Sequence, residues 1–178
     1  ELDATNFDIE KIIDETFDDL DQLIEFLEET QKVKPGQDDK LKKLIRLIKS
    51  KDIGERKVLV FTEFADTARY IENQLNQSGI DGVERVDGGT GKNRLDVVQR
   101  FAPFYNGQSS DELEQTGRKE IRVLVSTDVL SEGLNLQDAT RLINYDIHWN
   151  PVRLMQRIGR VDRMMNPETE EHLKLAHP

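Results

Sequence analysis

Short runs of consecutive apolar residues restrict this chain to few folds. Val58-Leu59-Val60-Phe61 shows no alternation of apolar and polar positions, and Ile121 to Ser126 is broken only by Arg122. Strands that bury both faces read this way, and such strands belong to parallel sheets covered on both sides. Helical spacing follows the first run: Ala65, Ala68, Ile71 and Leu75 fall on one face of residues 64–79. A weaker strand at Val83-Glu84-Arg85-Val86, a helix over residues 94–101, a strand over residues 140–145 and a helix opened by Pro151 continue the alternation. Proline suits that first helical position, where its missing N–H costs little. Residues 104–119 are polar without a clear period and read as a loop. Strand and helix alternate at least three times, which predicts an α/β fold with a mainly parallel sheet and helices on its faces. Ligands in such sheets sit beyond the carboxyl ends of the strands. The polar residues to watch are therefore Thr62-Glu63, Asp87-Gly88, Thr127-Asp128 and Asp146.

The N-terminal part differs in character. Residues 1–30 hold 12 Asp/Glu and one Lys, whereas the remaining residues hold 24 Lys/Arg and 23 Asp/Glu. The net charge of -10 thus belongs to one segment, and any nucleic-acid binding by the near-neutral remainder must come from a local patch. Ile9, Ile12, Ile13, Phe17, Leu20, Leu23, Ile24 and Leu27 step by threes and fours and mark one face of a helix over residues 8–29. Two readings stand: a solvated helix docked by its apolar stripe, or a dedicated acidic interaction or autoinhibitory helix. Pro35-Gly36 breaks the chain, and a basic helix follows from Asp38. These features divide the chain into an acidic helical appendage over 1–36, an α/β domain over 37–166 and a tail over 167–178. With no cysteine in the chain, disulfides and thiolate metal sites are excluded and an intracellular, cytoplasmic protein is expected. No apolar run approaches the roughly 18 residues of a membrane span. The first residue is Glu1, not Met, which reads as a segment of something longer.

The densest chemistry lies near the C-terminal end, in Gln156-Arg157-Ile158-Gly159-Arg160-Val161-Asp162-Arg163. Three-residue spacing on a helical turn sets Arg160 and Arg163 on one face, and two forked cations aimed the same way suit a polyphosphate. The bland alternative is a pair of surface arginines. Each strand-end motif has its own bland reading too: Thr62 and Asp128 as helix caps, Gly133-Leu134-Asn135-Leu136 as a turn, Trp149 as packing at a strand-to-helix corner. Gly88-Gly89-Thr90-Gly91-Lys92 imitates a phosphate-binding loop but fails twice, with Val86 where a glycine is needed and Asn93 where Ser or Thr is needed. No Gly-x-Gly-x-x-Gly follows a strand, and His148, His172 and His177 form no metal-ligand pattern, so no metal site is expected in this chain.

Taken together, these motifs resemble the second RecA-like lobe of superfamily 2 helicases and translocases, and the match is closest to Swi/Snf-type ATPases and the bacterial family that recycles RNA polymerase. Val58-Leu59-Val60-Phe61-Thr62 matches motif IV, Ser126-Thr127-Asp128 through Leu136 matches motif V, and Gln156 to Arg163 matches motif VI. Val86 to Thr90 with Arg94, and Asp146 with Trp149-Asn150-Pro151, complete the resemblance over roughly residues 38–165. Relatives continue with Ile-Gly-Gln, where this chain has Met164-Met165-Asn166-Pro167. The resemblance implies a three-layer RecA-like domain of the P-loop NTPase type. It implies that Arg160 and Arg163 are arginine fingers toward ATP, oriented by Gln156, with Gly133, Asn135 and Asp162 on the nucleotide side. Thr62, Gly88, Thr127 and Trp149 would meet nucleic acid, duplex DNA by analogy. ATP and Mg2+ would be bound mainly by an N-terminal lobe outside this chain, leaving this segment inactive alone. The alternative is a degenerate lobe acting as a non-catalytic nucleic-acid or protein binding module.

Overall fold

Strand β1 (Val58–Phe61) lies inside a four-stranded parallel sheet in the order β2-β3-β1-β4, with β2 at Val83–Val86, β3 at Val123–Ser126 and β4 at Arg141–Asn144. The computed structural model describes residues 8–32, 34–89, 94–130 and 136–162. All four residues of β1 and of β3 are buried, as the apolar runs Val58-Leu59-Val60-Phe61 and Val123-Leu124-Val125 require, with Ser126 the buried polar end of β3. Alternate side chains of β1 feed two separate cores. Val58 and Val60 join Val123 and Val125 with Leu44, Ile48, Ala68, Ile71 and Leu75 on one face. Leu59 and Phe61 join Leu124 with Val97, Val98, Phe101 and Leu136 on the other, where Leu142 and Val161 pack at the edge. The first core is covered by α3 (Ala65–Gln77) and the second half of α2 (Asp39–Ile48). The second is covered by α4 (Arg94–Phe101) and α6 (Pro151–Val161). The result is the expected three-layer α/β arrangement.

The chain divides into two compact units, residues 1–42 and 43–178, with the division falling inside α2. In the first unit α1 (Ile9–Gln31) starts at Asp8, whose carboxylate accepts from the Lys11 N–H at 3.1 Å. No residue of α1 is buried, and Phe17, Leu23 and Phe26 of its apolar side are at least 60% exposed. Residues 104–119 are not the plain loop expected from their polarity. A 3-10 turn at Phe104–Asn106 leads to α5 (Ser110–Gln115), which is nucleated by a capping box: Ser109 Oγ accepts from Glu112 N, and the Glu112 carboxylate accepts from Ser109 N at 2.8 Å. The Ser-x-x-Glu spacing was the local signal for it. Among the described residues, no helix is long and apolar enough to cross a membrane.

Candidate functional site

The carboxyl ends of β1, β3 and β4 are laced together by their own backbone before any side chain contributes. Thr62 N donates to Ser126 O at 3.0 Å, and Tyr145 N donates to Phe61 O at 2.7 Å. Thr62 is fully buried, and its hydroxyl donates to Asp146 Oδ2, which also accepts from Glu63 N at 3.3 Å. The Thr62 hydroxyl is thus spent on holding Asp146 at the exit of β4. Thr127 is likewise buried, with its N–H on Val86 O at 3.3 Å and its carbonyl accepting from Ser126 Oγ at 2.7 Å. At the end of β2 the Asp87 carboxylate accepts from Gly89 N at 2.8 Å and pairs with Arg85. Gly88 is exposed there. A methyl group on it would meet only Val129 Cγ1 at 3.9 Å, an ordinary contact, so internal packing does not demand glycine.

Arg157 is the centre of this edge, and reasoning from the sequence passed over it. It is 1% exposed, the largest fully buried side chain among the described residues. Its guanidinium forks onto Asp128, Nε to Oδ1 at 2.7 Å and Nη2 to Oδ2 at 2.9 Å, while Nη1 donates to Asn144 Oδ1 at 3.2 Å and Asp146 O at 3.3 Å. Its plane lies over the Phe61 ring, 5.2 Å from the centroid. Arg153 adds a second cation to Asp128 at 3.3 Å. Burial alone pushes the Asp128 carboxyl up, but the hydrogen bond and charge of Arg157, aided by Arg153, outweigh it and hold the group below its ordinary range. A signal for Arg157 existed. It stands three residues after Leu154 and four before Val161, on the inward face of α6, where a cation needs a buried partner.

The strut fixes α6, and α6 carries the residues read as nucleotide-facing. The helix begins sharply because Asn150 Oδ1 accepts from Val152 N at 3.0 Å and Pro151 takes the first position. Gln156 is exposed along it, Arg160 is half-buried in its last turn, and Asp162 is its exposed C-cap, donating its N–H to Ile158 O at 2.9 Å. A guanidinium in the last turn also complements the negative end of the helix dipole. Arg163, Gly133, Asn135 and Thr90 lie outside the described residues. Between β4 and α6 the loop displays Ile147 at 82% and Trp149 at 87% exposure, with Phe64 at 63% at the exit of β1. Leaving an indole in water forfeits on the order of 2 kcal/mol of burial, so packing at a strand-to-helix corner does not explain Trp149. Among the described residues, no three His, Asp or Glu side chains converge as a metal site would require.

Residues 39–165 match the helicase conserved C-terminal domain. An uncharacterized ATP-dependent helicase of Bacillus subtilis, YqhH, is 34% identical over 137 residues, which cover 77% of this chain and 21% of the relative. The RNA polymerase-associated protein RapA of Sodalis glossinidius is 29% identical over 123 residues, covering 68% of this chain and 12% of RapA. Among solved structures, the C-terminal part of the Fun30 ATPase domain superposes with a TM-score of 0.55 over 83% of this chain and 46% of that one, a likeness of fold at 21% identity. The chain therefore spans about a fifth of the length of the Bacillus relative and about an eighth of RapA.

Proposed function

Because this chain belongs to the helicase conserved C-terminal domain family, we propose that it is the C-terminal motor lobe of an ATP-dependent nucleic-acid translocase. The observation that carries the reading is the buried Arg157–Asp128 strut, which ties the helix bearing Arg160 rigidly to the strand ends. A triphosphate needs fixed cations at its outer end. Arg160 stands in the last turn of α6, and the half-buried carboxylate of the strut, Asp128, is already compensated by two arginines. That donor set fits the outer phosphates of ATP and does not fit Mg2+, which belongs with an N-terminal RecA-like lobe. When bound, ATP with Mg2+ supplies the phosphoryl group whose charge Arg160 and Arg163 stabilise. Gln156 orients this turn, with Gly133, Asn135 and Asp162 bordering the nucleotide.

The nucleic-acid track lies along the other strand ends. Gly88 offers backbone that positions phosphates without reading sequence, Thr127 supports that edge by tying the exits of β2 and β3 together, Thr62 contributes by seating Asp146, and Trp149 meets the track directly. Duplex DNA is the substrate this reading favours, met in the cytoplasm or at a nucleoid. In the full-length protein, Arg160→Ala and Arg163→Ala should each lower nucleic-acid-stimulated ATP turnover about 10³-fold while the circular dichroism spectrum stays unchanged. The 178-residue chain alone should not turn ATP over. Ordinary turnover by the chain alone, or by either variant, sinks the reading. Comparing duplex DNA, single strands and RNA as activators at one salt concentration identifies the track.

A further inference from the structure

Trp149 is 87% exposed, yet the residue before it is 7% exposed. His148 turns its ring inward from the loop between β4 and α6, and its Nδ1 accepts from the backbone N–H of Asn150 at 2.9 Å. The Asn150 side chain then accepts from Val152 N, two residues further on. The loop is thus built from two successive side-chain turns, each reaching a backbone N–H two positions ahead. In the first of them an imidazole does what Asn or Asp ordinarily does. An accepting Nδ1 requires the ring proton on Nε2. That nitrogen faces Glu63 Oε1 at 3.6 Å, beyond hydrogen-bond length but on the correct side for a donor meeting a carboxylate. Glu63 in turn anchors its backbone N–H on Asp146. His148 therefore spans the exits of β1 and β4, and its ring centroid stands 5.5 Å from that of Trp149.

We propose that His148, as the neutral Nε2–H tautomer, is the positioning residue that fixes the backbone turn presenting Trp149. It touches neither nucleotide nor nucleic acid, and acts through the turn. The consequence for nucleic-acid binding rests on the functional reading above, while the positioning itself does not.

Trp149 is the only tryptophan of the chain, so its fluorescence reports this loop alone. His148→Asn keeps an acceptor at nearly the place of Nδ1, because an asparagine carbonyl reaches an N–H two residues on. His148→Gln moves the acceptor one bond away, and His148→Ala removes it. In the 178-residue chain, His148→Asn should keep the wild-type Trp149 anisotropy and the slow hydrogen exchange of the Asn150 amide. His148→Gln and His148→Ala should lower the anisotropy and speed that exchange about tenfold, the effect of one lost hydrogen bond. Equal behaviour of the Asn and Gln variants would overturn the proposal. A measurement without any variant guards against misfolding: long-range 1H–15N spectra of the wild-type ring should show the proton on Nε2, and a proton on Nδ1 refutes the turn. Nucleic-acid affinity of the full-length protein separates the two readings. A loosened Trp149 with unchanged affinity upholds the positioning and removes Trp149 from the track, whereas a Trp149 unmoved in the Gln variant defeats the positioning whatever the affinity does.

Discussion

At the carboxyl end of β1 the buried charge is Arg157, a planar fork held by both oxygens of Asp128 at 2.7 and 2.9 Å and backed by Asn144 and the Asp146 carbonyl. At the amino end stands the partly buried Lys57, a point charge that donates to Phe101 O at 2.6 Å, pairs with Glu120 and lies 3.9 Å from Asp138. The acids respond in opposite directions. Asp128 is held below the usual carboxylate range because the arginine hydrogen bonds and charges outweigh burial. Asp138 is pushed above it because burial outweighs Lys57 and the N–H groups of Phe104 and Tyr105 that it accepts, with Glu120 adding to the rise. Two geometries of cation at the two ends of one strand thus yield one rigid strut and one loosely satisfied cluster. The strut sits at the strand edge proposed above to meet nucleotide and nucleic acid.

Breaking the strut should have the largest effect. Arg157→Met leaves Asp128 and Asn144 without their main partner and should lower unfolding free energy by about 3–5 kcal/mol in urea titrations. Lys57→Met attacks the other end and should cost about half as much, because Asp138 keeps two backbone donors and can take up a proton. Equal losses would erase the distinction drawn here. Thr62→Val removes one hydrogen bond to Asp146 at nearly constant shape and should cost about 1–2 kcal/mol.

The smallest effect is in pH dependence, and its sign differs between the ends. Asp128 titrates lower in the folded chain than unfolded. Its stabilisation is full above the unfolded value of 3.8 and is lost as pH falls through the folded pKa, so Asp128→Asn should flatten the acid limb of the stability curve. Asp138 titrates higher when folded. Its contribution is full below 3.8 and declines as pH rises through the folded pKa, so Asp138→Asn should remove a loss of stability that sets in as pH rises above 3.8. Unfolding free energies measured between pH 3 and 7 distinguish the two, and slopes of one sign in both variants contradict the assignment.

Much of the fold was legible locally. The unbroken runs of β1 and β3 mark doubly buried strands, the spacing of Ala68, Ile71 and Leu75 marks the inner face of α3, and Asn150-Pro151 marks the start of α6. The candidate site was legible only in outline. Arg160 and Trp149 stand out by type and context, whereas Thr62 allows two readings from sequence, a helix cap or a nucleic-acid contact, and in the fold it is buried with its hydroxyl on Asp146. Arg157 is marked in the sequence only by its inward helical position, since the partners that bury it lie far away along the chain. His148 carries no pattern that announces a turn, because Asn or Asp ordinarily makes the hydrogen bond two residues ahead that its Nδ1 accepts.

Periodicity, capping and turn chemistry act over a few residues, so the strands, the helices and membership of a helicase lobe were written in the order of the amino acids. Partnership between buried polar groups has no such short-range signature. Arg157 meets Asp128 from 29 residues away and Thr62 meets Asp146 from 84. Those meetings follow from a sheet that sets β1 between β3 and β4 and brings their carboxyl ends together. A polar group taken out of water must find a partner among whatever side chains lie within hydrogen-bond reach. Folding in three dimensions alone chose those neighbours.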